Sequence, residues 1–138
     1  MNEGSKTILV VDDERSIADT MAAIFRLAGY RSHAVYSAAE ALEALPAADP
    51  ALIIADVIMP GMDGVEFAIR ARALRPATAI ALISGNAGTL EIVERARRRG
   101  HAFEVLAKPV PPRELLARVA AMLGRTASPA AESSSASA

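Results

Sequence analysis

The sequence predicts an α/β fold, a doubly wound parallel sheet of five strands with five helices. Two observations carry that expectation. Short, β-branched apolar runs alternate along the chain with longer segments whose apolar residues recur at helical spacing. Strands one, three and four (KTILVV, ALIIA and TAIALIS) read as continuous apolar runs without polar alternation, the pattern of parallel strands covered on both faces. Right-handed crossovers then wind the sheet and gather ligand-binding groups at the carboxyl ends of the strands.

Each element has its own signal. KTILVV, from Lys6 to Val11, is the first strand. Ile17, Met21, Ile24 and Phe25 then fall on one helical face, and Gly29 stops that helix. RSHAVY is the second strand, and Ser37 with Glu40 has the form of a capping box ahead of Ala38, Ala41, Leu42 and Leu45. ALIIA is the third strand. The third helix starts near Asp63 or Gly64, with Val65, Ala68 and Ile69 inward. TAIALIS is the fourth strand, TLEIVERARRR a helix closed by Gly100, and FEVLA the fifth strand. The last helix opens at Pro111 or Pro112, where a missing N–H does no harm, and runs to Gly124.

Composition narrows the function. The 138 residues suit one domain, spanning 1–124, with a sizeable core. A formal charge of -1 gives no reason to expect nucleic acid or an anionic membrane as the main partner. With no cysteine there is no disulfide framework and no thiolate chemistry. No apolar run approaches the ~20 residues of a membrane span, and the N-terminus lacks a signal peptide's uninterrupted apolar core, so a cytoplasmic chain is expected. From Arg125 the Ser/Ala-rich tail, 125–138, has too little apolar surface to offset ordering and is expected to be disordered.

The strand ends carry the chemistry. The first ends in Asp12 and Asp13, the third in Asp56, the fourth in Ser84 and the fifth in Lys108. In a doubly wound sheet these ends share one edge. Two carboxylates ~4 Å apart repel by about 4 kcal/mol at an effective dielectric of roughly 20. Three of them beside one lysine call for a further cation. Oxygen ligands and the lack of a neighbouring His pair favour Mg²⁺ over zinc. A carboxylate beside a metal and a lysine can also be a nucleophile toward phosphorus, with Ser84 and Lys108 holding phosphoryl oxygens. The Pro/Gly loop after Asp56 would keep it open to a donor and could bring the Ile58 backbone carbonyl to the metal.

At this point ILVVDDE, IIADVIMPGMDG, ALISGN and VLAKPV resemble, in order, the four signature blocks of response-regulator receiver domains of two-component signalling, a flavodoxin-like fold. The likeness runs from Lys6 to about Gly124. It implies that Asp56 is the phosphoacceptor and that Asp13, Asp56 and the Ile58 carbonyl bind Mg²⁺ directly, with Asp12 acting through water or its neighbours. Ser84 would hydrogen-bond the phosphoryl group and Lys108 would ion-pair with it across a cis Lys108–Pro109 peptide. The donor would be a phosphohistidine on a sensor histidine kinase or a histidine phosphotransfer protein. The domain would catalyse only its own phosphorylation and dephosphorylation, without turnover as an enzyme. Output would pass to a partner protein through the face of the fourth helix, fifth strand and fifth helix, with no direct contact to nucleic acid or membrane.

The chain departs from the family pattern in places. Val105 stands where the family carries an aromatic. Phe103 lies two residues earlier on the same strand face, ~7 Å away, too far to substitute. The stretch from Ser84 to Lys108 is longer than usual, and Ile58 and Asn86 fall where side chains tune dephosphorylation. Too few residues follow Gly124 for an output domain, so a stand-alone receiver is expected. A phosphoryl shuttle or sink, and a fragment of a larger regulator or hybrid kinase, are the alternatives within signalling. Outside that class stands a phosphorylation-independent interaction module. A phosphatase with an aspartyl nucleophile would carry a second Asp two residues after the first, whereas strand one here ends DDE. His33 and His101 read as isolated surface residues. The run Arg95, Arg97, Arg98, Arg99 reads as a solvated helix face near a C-terminus, where cations favour the dipole. Met59 and Met62 read equally as gap-fillers or partner contacts.

Overall fold

The computed structural model describes residues 6–85 and 87–127. Its elements alternate: β1 (Thr7–Val11), α1 (Arg15–Leu27), β2 (Arg31–Val35), α2 (Ala38–Ala48), β3 (Leu52–Asp56), α3 (Gly64–Leu74), β4 (Ala79–Ser84), α4 (Ala87–Arg98), β5 (Glu104–Ala107) and α5 (Pro112–Ala127). The strands form one sheet in the order β2-β1-β3-β4-β5, and every pairing is parallel. The register aligns Val11 with Ala55, Asp56 with Ile83 and Ser84 with Ala107, so the carboxyl ends finish nearly level.

The continuous apolar runs follow from two cores. Successive strand side chains point to opposite faces. Leu9, Val11, Ile53, Ala55 and Leu82 bury against α2, α3 and α4. Ile8, Val10, Ile54 and Ile83 bury on the other side against α1 and α5. A polar residue at any of these positions would sit in one core or the other, which is why alternation is absent.

Local chemistry sets the helix ends. Ser37 Oγ accepts the Glu40 N–H at 3.1 Å, as a capping box requires. Glu40 returns the bond one residue further back, accepting the Tyr36 N–H at 2.9 Å. Pro46 lies inside α2, where it can donate no helix bond. Arg75 covers that helix's end, donating to the Pro46 carbonyl at 3.2 Å and pairing with Asp49 at 3.1 Å.

Several sequence expectations are corrected. In α1 the deepest residues are Ala18, Ala22 and Phe25, while Ile17, Met21 and Ile24 are only half-buried. Small residues let the helix sit close to the sheet and turn the longer side chains to its flank. In α3, Phe67 is fully buried beside Val65 and Ala68, and Ile69 is half-buried. The fifth strand begins at Glu104, leaving Phe103 before it. Gly124 does not end the last helix, which continues to Ala127. A glycine inside a helix costs about 1 kcal/mol relative to alanine, and burial of Val119, Met122 and Leu123 just before it outweighs that. The last helix takes in 125–127 of the expected tail, and 128–138 lie outside the described residues, as does Asn86.

Candidate functional site

The strand ends do converge. Asp56 closes β3, Asp12 and Asp13 follow β1 directly, Ser84 closes β4, and Lys108 follows β5. The Asp12 N–H extends the ladder by one bond to the Val35 carbonyl at 3.2 Å, and the Lys108 N–H bonds the Ser84 carbonyl at 2.9 Å. Backbone pairing thus holds the acids and the lysine at the sheet edge. One carboxylate oxygen each from Asp12, Asp13 and Asp56 lies within 4.8 Å of the others. Lys108 Nζ stands 3.3 Å from Asp56 Oδ2 and 3.7 Å from Asp12 Oδ2.

The three acids differ in exposure. Asp12 and Asp56 are buried, whereas Asp13 is open to solvent. Burial pushes the Asp12 carboxyl above its ordinary range. The Glu14 N–H, 3.0 Å from Asp12 Oδ1, pulls the other way, and the Asp56 charge raises it again. Burial lowers the Lys108 ammonium, but the charges of Asp56 and then Asp12 outweigh it and hold Lys108 above the usual lysine range. One ammonium therefore faces three carboxylates, and the pocket keeps an excess of negative charge. An all-oxygen, carboxylate-rich donor set of this kind suits a hard divalent cation. The residues fit a metal.

The loop after Asp56 is built to keep that carboxylate in place. The Ile58 N–H donates to Asp56 Oδ1 at 3.4 Å, and the Ile58 side chain is exposed. The Gly64 N–H bonds the Val57 carbonyl at 2.8 Å, folding the loop back on the strand. A Cβ on Gly64 would run into the Asp56 carbonyl oxygen and come within 2.8 Å of Val57 Cα, so only glycine allows this approach. Asp63 then caps α3, accepting the Glu66 N–H at 2.8 Å. Gly61 takes a φ of +85°, the left-handed region.

Ser84 is buried, and its hydroxyl is hydrogen-bonded to the Thr89 hydroxyl on α4, itself fully buried. Sequence reasoning missed Thr89, because a threonine in a helix's first turns carries no signal of its own. It also missed the contact that demands Gly64. The Lys108–Pro109 peptide is cis, as the resemblance implied.

Other candidates fall away from the site or take modest roles. Met59 is buried and Met62 half-buried, both packed on the α2–α3–α4 core, which favours the gap-filling reading. His33 is exposed on the surface, while His101 is half-buried. Arg95, Arg97, Arg98 and Arg99 are all exposed, and Arg97 pairs with Glu94 at 3.9 Å. Val105 is half-buried and shares a cavity of about 320 Å³ with Leu90, Val93 and Phe103. Phe103 packs under the Arg72 guanidinium, 4.1 Å from the ring centre. A groove of about 460 Å³ beside Lys108 is lined by Ile17, Met21 and Ile24 of α1 with Pro109 and Leu115. Among the described residues, no helix is long and apolar enough to cross a membrane.

A flavodoxin-like sheet that presents three carboxylates and a lysine at its carboxyl edge is the arrangement that the resemblance to receiver domains implied. Comparison with known proteins agrees. The family model described as the response regulator receiver domain matches residues 8–120. The chain is 34% identical over 121 residues to the phosphate regulon transcriptional regulatory protein PhoB of Pseudomonas aeruginosa, covering 88% of this chain and 53% of that protein. It is 30% identical over 132 residues to the DNA-binding response regulator MtrA of Mycolicibacterium smegmatis, covering 96% of this chain and 57% of that one. The chain thus spans about half the length of the curated relatives it matches. A CheY-like receiver domain protein from Methanospirillum hungatei superposes with a TM-score of 0.79 at 28% identity, over 89% of this chain and 97% of that one. The chain belongs to the response-regulator receiver domain family. It is the receiver domain of a two-component response regulator.

Proposed function

We propose that Asp56 accepts a phosphoryl group, in a Mg²⁺-dependent reaction, from a phosphohistidine on a sensor histidine kinase or phosphotransfer protein, and that a partner protein reads the result. The observation that carries this reading is the Lys108 ammonium 3.3 Å from Asp56 Oδ2, inside a cluster of three carboxylates at the strand ends. An Asp56 carboxylate oxygen attacks phosphorus, the P–N bond of the donor breaks, and the imidazole leaves with the electron pair. Lys108 holds a phosphoryl oxygen and balances part of the added charge. The Ser84 hydroxyl donates to another. Asp12, Asp13, Asp56 and the Ile58 carbonyl would hold Mg²⁺, which when bound offsets the charge of the incoming phosphoryl group. Water later attacks the phosphorus, the P–O bond to Asp56 breaks, and inorganic phosphate leaves with the Asp56 carboxylate restored. The domain serves as a switch, acting on itself without turnover, and works in the cytoplasm.

The test is intact-mass spectrometry of the folded chain after incubation with acetyl phosphate and Mg²⁺. A gain of one phosphoryl group is expected, lost in Asp56→Asn and lost when Mg²⁺ is chelated. A folded wild-type chain that gains nothing overturns the reading.

A further inference from the structure

The family carries an aromatic where this chain has Val105, so the coupling of the site to its signalling face needs another agent. Ser84 and Thr89 supply one. Ser84 shares its face of β4 with Leu82, which packs on the α2–α3–α4 core, while the intervening Ile83 packs on the α1–α5 side. The Ser84 side chain is accordingly turned to α4, where its hydroxyl bonds that of Thr89. Both residues are buried, at 5% and 1% exposure, so bulk water does not compete for the bond between them.

We infer that Thr89 is the residue through which the state of Asp56 reaches α4. This rests on the phosphoacceptor reading above. A serine hydroxyl has one proton to donate. Whichever of the two hydroxyls donates in the Ser84–Thr89 bond, a phosphoryl group on Asp56 draws the Ser84 proton, and the Ser84 side chain turns about its Cα–Cβ bond away from α4 toward the strand end. The Ser84–Thr89 bond is then lost, and the first turns of α4 lose a tether to the sheet. In the unphosphorylated chain the bond pins α4; in the phosphorylated chain α4 is released. Leu90, half-exposed and next to Thr89, lines the cavity with Val93, Phe103 and Val105, so release of this turn changes the face a partner meets. Thr89 meets the site through its hydroxyl bond to Ser84. It acts through Ser84, as a positioning residue.

The experiment is hydrogen exchange of the full chain, read by mass spectrometry over α4 peptides, with and without acetyl phosphate and Mg²⁺. Intact mass of the same samples reports the phosphoryl content. In the wild type, phosphorylation is expected to raise exchange in the first turns of α4 by about fivefold, the equilibrium factor for one net hydrogen bond. Thr89→Val keeps the shape and removes the hydroxyl. It is expected to exchange at the raised rate already when unphosphorylated, with no further rise on phosphorylation. Thr89→Ser restores the hydroxyl and is expected to recover the wild-type response. A merely structural role would loosen Thr89→Val in both states and leave the phosphorylation-dependent ratio intact; that result, with normal phosphoryl gain, overturns the inference alone. No phosphoryl gain in the folded wild type overturns the phosphoacceptor reading and this inference with it. Should Thr89→Val not fold, Thr89→Ala, which adds no bulk, carries the same expectations.

Discussion

Asp12, Asp13 and Asp56 crowd three carboxylate oxygens within 4.8 Å against the single ammonium of Lys108. Such a pocket serves chemistry at the expense of stability. Asp12→Asn is therefore expected to raise the stability of the chain in chelator by about 0.5–2 kcal/mol, since it removes one repelling charge from a buried position and keeps the acceptor for the Glu14 N–H. The same variant should gain less stability than wild type when Mg²⁺ is added. Urea denaturation with and without Mg²⁺ checks both; a loss of stability in chelator would mean that the Asp12–Lys108 attraction outweighs the repulsion. The acids and Lys108 were legible in the sequence because a charge that ends a buried strand has few structural explanations. Thr89 was not legible, since only the packing of α4 on β4 brings its hydroxyl to Ser84.

At the scale of elements, the β3–α3 loop is the most constrained segment of the site. Gly64→Ala places a methyl group against the Asp56 carbonyl and Val57. Backbone must yield, so a loss of about 1–3 kcal/mol or more is expected, together with slower phosphoryl gain as Asp56 is displaced. Asp63→Ala, one residue earlier, removes only the cap on Glu66; about 1 kcal/mol is expected, with phosphorylation unchanged. Thermal unfolding and the mass assay on the pair separate a crowded site from a weakened helix, and equal phosphorylation defects in both would contradict the assignment. Helix faces were only partly legible. In α1 the spacing was right and Phe25 lies innermost, but Ala18 and Ala22 took the other innermost positions and left Ile17, Met21 and Ile24 on the groove beside Lys108. At the C-terminal end Gly124 read as a stop, yet its Cβ position meets open space and its φ is not left-handed, so nothing there forces the helix to end.

For the whole molecule, the sheet's two covered faces made the fold legible. A parallel strand covered on both faces is apolar along its length, as the inner strands β1, β3 and β4 are before their polar ends, and five strands separated by helical patterns leave few topologies. Both cores meet across the same strands, so damage to either should unfold the domain as one unit. Phe67→Ala on one face and Phe25→Ala on the other, both fully buried, are each expected to cost about 3–5 kcal/mol in a single cooperative transition. Two separate transitions in urea would contradict that picture. What the sequence could not show is that the Ser84 hydroxyl at the end of β4 meets the Thr89 hydroxyl on α4, a contact that only the packed fold makes.

On the function proposed above, Asp56, among three neighbouring acids, is the one that takes the phosphoryl group. Borohydride reduces an acyl phosphate to an alcohol and so turns a phosphorylated aspartate into homoserine. Reducing the chain after incubation with acetyl phosphate and Mg²⁺, then sequencing its peptides by tandem mass spectrometry, locates the acceptor. Homoserine at position 56 and at neither 12 nor 13 is the predicted result. Homoserine at position 12 or 13, or at none of the three in a folded chain, would rule out Asp56 as the acceptor.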